Sequence, residues 1–166
     1  MASTEKVEIK QVLQICVVVK DLQKTMERYW NLCGIGPWQI YTLGPPHLTN
    51  GAVRGKPESY SMKVAAAMIG DVTWELIQPL AGPSVYKEFL EEKGEGLHHV
   101  MVAVDDFDKA VATLGSLMDG TIYGIKMAYL DTEKELGAIF EVANSLDFDL
   151  LPPPEATYPP SEGAGS

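Results

Sequence analysis

The chain has 166 residues, of which 46% are hydrophobic, enough for one well-buried domain or two small modules that share a core. Its formal net charge of −10 argues against a nucleic-acid or membrane-surface partner, because such partners favour a basic face. It has two cysteines, a polar N-terminus and no apolar run near the ~20 residues of a membrane span. These features predict a soluble cytoplasmic protein without disulfides or a secretory signal.

The first half of the chain predicts a strand, a helix and three further strands. After a flexible N-terminus at residues 1–10, a strand over residues 12–19 leads to Asp21, a typical N-cap residue. The helix that follows should end at Gly34, which can adopt the left-handed conformation. The other strands of this half are expected at Trp38–Leu43, 60–68 and 72–78.

Residues 44–59 contain several glycines and prolines and predict a long loop. Connections of this length in compact domains are often binding loops or lids. With His47, the side chains of Arg54 and Lys56 form the densest positive cluster of an acidic protein. We therefore expect Arg54 and Lys56 to bind an anionic small-molecule substrate, with a solvated connector as the alternative.

The second half repeats the pattern of the first. A linker helix at residues 85–93 should precede a strand at 98–104 and a helix capped by Asp106 that runs past Leu117 and ends at 118–120. Further strands are expected at Ile125–Leu130 and 137–143. Residues 148–166 are rich in Pro, Ser, Gly and Glu and predict a disordered tail.

A constant offset of 85 residues relates the strand around Gln14 to the strand around His99. Under this offset Val17 matches Val102 and Asp21 matches Asp106, which indicates one module used twice. The alternative is that any two strand–helix units share an apolar pattern. Because side chains alternate along a strand, His98 should lie on the packed face and His99 on the opposite one.

Two carboxylates occupy matching places near the ends of the two modules, residues 11–80 and 97–147, which the segment 81–96 links. Glu75 and Glu141 each sit between apolar residues in a strand, where a carboxylate is costly unless it is paired, hydrogen-bonded or bound to a cation. With Gln14 and His99 they form a nitrogen and oxygen set that suits Zn²⁺, Ni²⁺, Co²⁺, Mn²⁺ or Fe²⁺. Taken singly, Gln14 or His99 is also compatible with a hydrogen-bonded structural residue.

Two motifs carry a family resemblance: GEGLHH at residues 94–99, before a valine-rich strand and two aspartates, and WELIQPL at residues 74–80. The sequence resembles the vicinal oxygen chelate superfamily, which includes glyoxalases, bleomycin resistance proteins and dioxygenases, and is nearest to methylmalonyl-CoA epimerases and glyoxalase I. The resemblance implies an α+β fold of two paired βαβββ modules in a U-shaped mixed sheet around a central cavity. Epimerases usually carry His where this chain has Gln14, whereas the set Gln14, Glu75, His99 and Glu141 is similar to that of eukaryotic glyoxalase I.

The resemblance also implies a reaction, in which one divalent metal stabilises an enolate or enediolate while a base removes the proton next to a carbonyl. Glu141 or Glu75 is the expected base, and Tyr41 is expected to assist in binding a small 2-oxo or acyl-thioester substrate. The enzyme would be an isomerase, epimerase or lyase. The alternatives are a metal-free protein that sequesters a small ligand and, third, a ring-cleaving dioxygenase. We expect a homodimer, with the ligands meeting within one chain or across the dimer.

Overall fold

The fold is a single mixed β-sheet with helices on its outer face, seen in a computed structural model that describes residues 5–161. Its first half contains β1 (Ile9–Val18), α1 (Leu22–Cys33), β2 (Trp38–Leu43), β3 (Leu48–Val53), β4 (Lys56–Pro57), β5 (Met62–Ile69) and β6 (Val72–Pro79). The second half contains α2 (Val85–Glu92), β7 (Gly96–Val104), α3 (Phe107–Leu114), β8 (Ser116–Ile122), β9 (Ile125–Leu130), α4 (Glu133–Leu136), β10 (Ile139–Ala143), a 3-10 turn (Phe148–Leu150) and β11 (Ala156–Tyr158). Within residues 5–161, none of the helices has both the length and the apolarity needed to cross a membrane.

The strand order is β11-β2-β5-β6-β1-β7-β10-β9-β8-β3-β4. The first strand of each module pairs in parallel with the last strand of that module, β1 with β6 and β7 with β10. The modules join where β1 and β7 pair antiparallel at the middle of the sheet. This arrangement confirms the predicted α+β fold of two paired βαβββ modules.

The register of β1 and β7 agrees with the internal repeat. Ile15 pairs with Val100, which lies 85 residues later, the same offset that relates the two modules. A local twofold axis therefore passes between these residues. Gln14 faces Met101 and Cys16 faces His99 across it, so Gln14 and His99 occupy equivalent places on the two strands.

Both predicted helix starts are confirmed. The Asp21 carboxylate accepts a hydrogen bond from the Lys24 amide at 3.0 Å, and the Asp106 carboxylate accepts one from the Lys109 amide at 2.9 Å. Helix α1 ends at Gly34, whose φ of 67° is left-handed. Helix α1 packs on the valines of β1 and α3 packs on those of β7, which leaves the other face of the central strands free to line a cavity.

The prediction of a long loop at residues 44–59 is wrong. This segment forms the hairpin β3–β4, and β3 pairs with β8, so that Leu48 and Val53 are buried. The hairpin requires glycine at position 51, because a side chain there would place Cβ 2.5 Å from the Glu58 carbonyl oxygen. Because the segment pairs with a distant strand, its glycine and proline content gave a false loop signal.

Helix α3 is shorter than predicted. It ends at Leu114, where Gly115 adopts a φ of 75° and its amide donates to the Val111 carbonyl. The expected helix end at 118–120 instead belongs to β8, which pairs with β9. Pairing with β3 and β9 on both sides outweighs the helical spacing of Leu117.

The C-terminal segment differs from the predicted disordered tail. Strand β11 pairs with β2, and the Glu155 carboxylate accepts hydrogen bonds from the Thr42 amide at 2.7 Å and its hydroxyl at 3.1 Å. The edge of β2 thus orders a proline-rich segment that has little helical or strand pattern of its own. At the other end β1 already begins at Ile9, within the predicted flexible N-terminus. Residues 1–4 and 162–166, which also fall in the predicted termini, lie outside the described residues.

Candidate metal centre

The inner face of the sheet surrounds a cavity of about 920 Å³. Gln14, Glu75 and Glu141 lie on its floor, which the central strands form. The walls are mostly apolar and come from both modules, among them Val64, Ile77, Met101, Ile122, Ile125 and Met127. A few polar groups in an apolar cavity are typical of a small-molecule site.

Three buried polar atoms converge on this floor. The Nε2 atom of His99 lies 3.0 Å from Oε2 of Glu141 and 3.7 Å from Oε2 of Glu75. None of these three atoms has a hydrogen-bond partner among the described residues. Native proteins rarely leave buried polar atoms unpaired, and two carboxylates beside an imidazole suit a divalent cation. The arrangement therefore fits a metal centre.

The electrostatics of Glu75 agree with this assignment. Burial, and next the nearby Glu141 carboxylate, raise the pKa of Glu75 well above its usual range. Hydrogen bonds from Cys16 and Gln14 offset part of this shift. A bound cation would offset the repulsion between the two carboxylates, and it would therefore favour their charged forms.

Of the four predicted ligands, the structure brings Glu75, His99 and Glu141 together within one chain. Gln14 lines the same cavity, and its side chain lowers the pKa of Glu75. The local twofold axis relates Gln14 to His99, because Gln14 pairs with Met101 and Cys16 pairs with His99. That Gln14 itself binds the metal stays a prediction.

Sequence reasoning missed Cys16. Its Sγ atom, a carboxylate oxygen of Glu75 and a ring nitrogen of His99 all lie within 4.8 Å of one another. A signal was available, because Cys16 lies two residues after Gln14 and so shares its face of the strand. In the structure Cys16 is a free, buried thiol.

The expectation that His98 lies on the opposite face from His99 is wrong. The register of β1 and β7 is irregular here, because Cys16 pairs with His99 and the next residue, Val17, pairs with Leu97. His98 is the extra residue of this bulge, and its Nδ1 lies 2.9 Å from Nδ1 of His99. Burial, together with the neighbouring His99, lowers the pKa of His98 to about 3, so this ring stays neutral.

This contact gives His98 a role as a positioning residue. Its ring also packs against the aromatic rings of Tyr86 and Phe89 on α2, at centroid distances of 5.5 Å and 5.0 Å. A hydrogen bond between the two Nδ1 atoms turns the Nε2 atom of His99 toward the carboxylates. Metal-binding histidines usually have a partner of this kind on the ring nitrogen that does not face the metal.

A family model described as the glyoxalase/bleomycin resistance protein/dioxygenase superfamily matches residues 13–117 of this chain. That is more than half of its 166 residues. The chain belongs to this superfamily. The resemblance inferred from the sequence motifs is thereby confirmed.

Solved structures of methylmalonyl-CoA epimerases are similar to this superfamily member. A variant from Streptomyces coelicolor, in complex with 2-nitronate-propionyl-CoA, has 19% identity and a TM-score of 0.60, over 82% of this chain and 97% of that one. An epimerase in complex with methylmalonyl-CoA and ammonium has 18% identity and a TM-score of 0.61, over 84% and 97%. The enzyme from Mycobacterium tuberculosis has 15% identity and a TM-score of 0.60, over 84% and 90%. At these identities the similarity shows the fold.

A curated relative matches over a shorter segment. The uncharacterized protein YqjC of Bacillus subtilis is 46% identical over 43 residues, 26% of this chain. The match spans 31% of the length of that relative.

Two tyrosines that the sequence did not indicate lie next to the candidate metal centre of this superfamily member. Tyr129 faces Glu141 across β9 and β10, and its ring lies 4.8 Å from that of His99. Its hydroxyl is 2.5 Å from that of Tyr86. Burial raises the pKa of both phenols, so they remain protonated, and one of the two hydroxyls donates to the other.

The predicted substrate-binding residues divide into two groups. Tyr41 lines the cavity, and its hydroxyl donates to the Gln39 side chain at 3.3 Å. Arg54 and Lys56 are not among the lining residues; Arg54 lies at the tip of the β3–β4 hairpin and pairs with Glu88 at 2.6 Å. Their placement gives no support to a role in substrate binding, which stays a prediction.

The C-terminal segment completes one wall of the cavity through Phe148, Leu151 and Pro152. Replacing Glu155 by Ala should loosen this wall, because it removes both hydrogen bonds to Thr42. We expect the amides of β11 to exchange with solvent faster by roughly 5-fold, the equivalent of about 1 kcal/mol for an exposed charge-assisted pair. Hydrogen exchange read by mass spectrometry measures this. Glu135→Ala on α4 removes the same charge away from the cavity and should leave the exchange rate of β11 unchanged. Equal exchange rates in both variants would contradict a role of the Glu155–Thr42 hydrogen bonds in holding this wall.

Proposed function

We propose that this superfamily member is a divalent-metal-dependent enzyme that removes a proton next to a carbonyl group, as an isomerase, epimerase or lyase. One observation carries the proposal: the buried, unpartnered atoms of Glu75, His99 and Glu141 converge on the cavity floor. A cation bound there would supply Lewis-acid stabilisation of negative charge that develops on a substrate oxygen. The cavity above the site supplies the space for the substrate.

Glu141 is the proposed base. Both carboxylates line the cavity, and Glu75 pairs directly with Cys16 across β1 and β6. Glu141 lies 3.0 Å from Nε2 of His99, with which it shares a module, and across from Tyr129, whose hydroxyl is paired with that of Tyr86. With Nε2 of His99 directed at a cation instead, Glu141 would be left to take a proton from a substrate carbon and return it. A positioned base of this kind contributes about 10²–10⁴-fold to a rate.

An acyl thioester is the substrate class that best fits the cavity. Within residues 5–161, the lining residues include three carboxylates, Glu75, Glu141 and Asp149, but no lysine, arginine or histidine. An anionic group buried there would find no cationic side chain, so the part that enters should be the uncharged acyl group. The anionic part of the expected substrate would then lie outside the cavity. Similar solved structures are in complex with acyl-CoA molecules, which is consistent with this class.

Exchange of the α-proton tests the proposal directly. The protein is stripped with a chelator, reloaded with Zn²⁺, Co²⁺, Ni²⁺ or Mn²⁺, and incubated in D₂O with short acyl thioesters and 2-oxoaldehydes. We expect deuterium to enter the α-position, read by NMR, at a rate proportional to metal occupancy. Exchange that is equally fast in the stripped protein would contradict a metal-dependent reaction. A fully loaded protein that exchanges no member of the panel would contradict proton abstraction.

The cavity also supports a second candidate, a metal-free protein that sequesters a small hydrophobic ligand. Its size and apolar walls favour this function independently of the carboxylates. Tight binding of an apolar ligand by a protein that takes up no metal would favour it over the enzyme. No observation favours the third alternative, a dioxygenase: His47 stacks on Tyr123 at 4.6 Å, and His98 is bound to His99.

A further inference from the structure

We propose that the thiolate of Cys16 is itself a ligand of the metal and shares the cation with Glu75 and His99. The inference rests on the metal site of the proposed function and adds a sulfur ligand that the family resemblance does not provide. It changes the centre from a purely nitrogen and oxygen site to a mixed one.

The position of Cys16 in the sheet carries the argument. Strand β1 lies between β6 and β7, and Cys16 is the residue that faces Glu75 on one side and His99 on the other. The three ligand atoms lie within 4.8 Å of one another. Two ligands of one zinc ion can be at most about 4.6 Å apart, twice a zinc–sulfur bond of about 2.3 Å. Small side-chain shifts would therefore bring all three to one ion.

The neighbouring atoms point to the same place. Oε2 of Glu75 and Nε2 of His99 are buried and without hydrogen-bond partners, and the side chain of His99 has 0% exposure. Cys16 itself is fully buried and forms no disulfide. Cys16 belongs to an apolar cluster of the core, but its thiol also lies beside the Glu75 carboxylate and the His99 ring, which an inert core cysteine would not need. Metal binding would replace its proton.

Gln14 is placed differently. It faces Thr73 on β6 and Met101 on β7, so it lies one pleat away from the residues that face Cys16. Its side chain lowers the pKa of Glu75, which suits a residue that orients a ligand. With sulfur as a ligand, the centre should favour Zn²⁺ and Co²⁺ over Mg²⁺ and Mn²⁺, because thiolate is a soft ligand.

Cobalt substitution tests this inference. The full chain is stripped with a chelator, titrated with Co²⁺ without oxygen, and followed by absorption. A thiolate ligand gives a near-ultraviolet charge-transfer band, which nitrogen and oxygen ligands do not give, and bound cobalt of any ligand set gives visible bands. The chain has only two cysteines, and Cys33 is the exposed one. The Cys33→Ser protein is therefore the decisive sample, since any thiolate band it shows must come from Cys16.

We expect the Cys33→Ser protein to retain both sets of bands. The Cys16→Ser protein should lose the near-ultraviolet band, keep the visible bands, and bind Co²⁺ at least about 10-fold more weakly, a loss typical even of outer partners. Visible bands without a charge-transfer band in Cys33→Ser would overturn the sulfur ligand and leave the metal site intact. No visible bands in any sample would overturn the metal site of the proposed function as well. The result from Cys33→Ser does not depend on whether Cys16→Ser folds.

Discussion

Replacing Glu141 by Gln should lower kcat for α-proton exchange by on the order of 10² or more, while the protein retains most of its metal. Glutamine keeps the size of the side chain and an oxygen that can coordinate a cation, but it cannot accept the proton. The carboxylate lies on the cavity floor, 3.0 Å from Nε2 of His99, so a substrate in the cavity can reach it. Deuterium exchange in D₂O and metal content, measured on the same samples, check the prediction.

Glu75→Gln is the matched control, because it makes the same chemical change at the equivalent strand position. Glu75 faces Cys16 directly across β1 and β6, so its loss should weaken metal binding more than it slows the chemistry of the loaded protein. If Glu141→Gln exchanges as fast as the parent and Glu75→Gln does not, the base is Glu75. The two variants thus separate the base from the ligand.

Replacing His99 by Ala should remove stoichiometric metal from the protein. The imidazole is the proposed nitrogen ligand between two carboxylates, and its side chain is fully buried. Without it the two carboxylates remain buried at close range with no nitrogen donor. Elemental mass spectrometry on purified protein, with a thermal melt to confirm folding, checks the result.

His98→Ala should have a smaller effect on the same measurement. It removes the hydrogen-bond partner of His99 at 2.9 Å but leaves Nε2 of His99 in place, so we expect metal affinity to fall by about 10–100-fold. His47→Ala serves as the control, because His47 stacks on Tyr123 and does not line the cavity. Retention of full metal occupancy in His99→Ala would contradict the proposed centre. Equal losses in His98→Ala and His47→Ala would contradict the positioning role of His98.

Local patterns in the sequence were enough for much of the fold. The caps at Asp21 and Asp106 and the end of the helix at Gly34 depend on groups within four residues, so they can be inferred from the chain alone. Their place between apolar residues marked Glu75 and Glu141 as candidate ligands, and both line the cavity. The 85-residue offset was visible because the modules carry the same pattern, and the Ile15–Val100 pair agrees with it.

Pairing between distant strands decided the rest. Residues 48–57 and 156–158 carry weak local signals, and they become strands because the edges of β8 and β2 supply hydrogen bonds. The metal centre depends on register in the same way. Alternation predicts which face a side chain is on, but only the pairing of β1 with β6 and β7 places Cys16 between Glu75 and His99. The bulge that turns His98 toward His99 is likewise a property of two strands. The extra residue on β7 is defined only by its pairing with β1, so the sequence of β7 alone does not predict it.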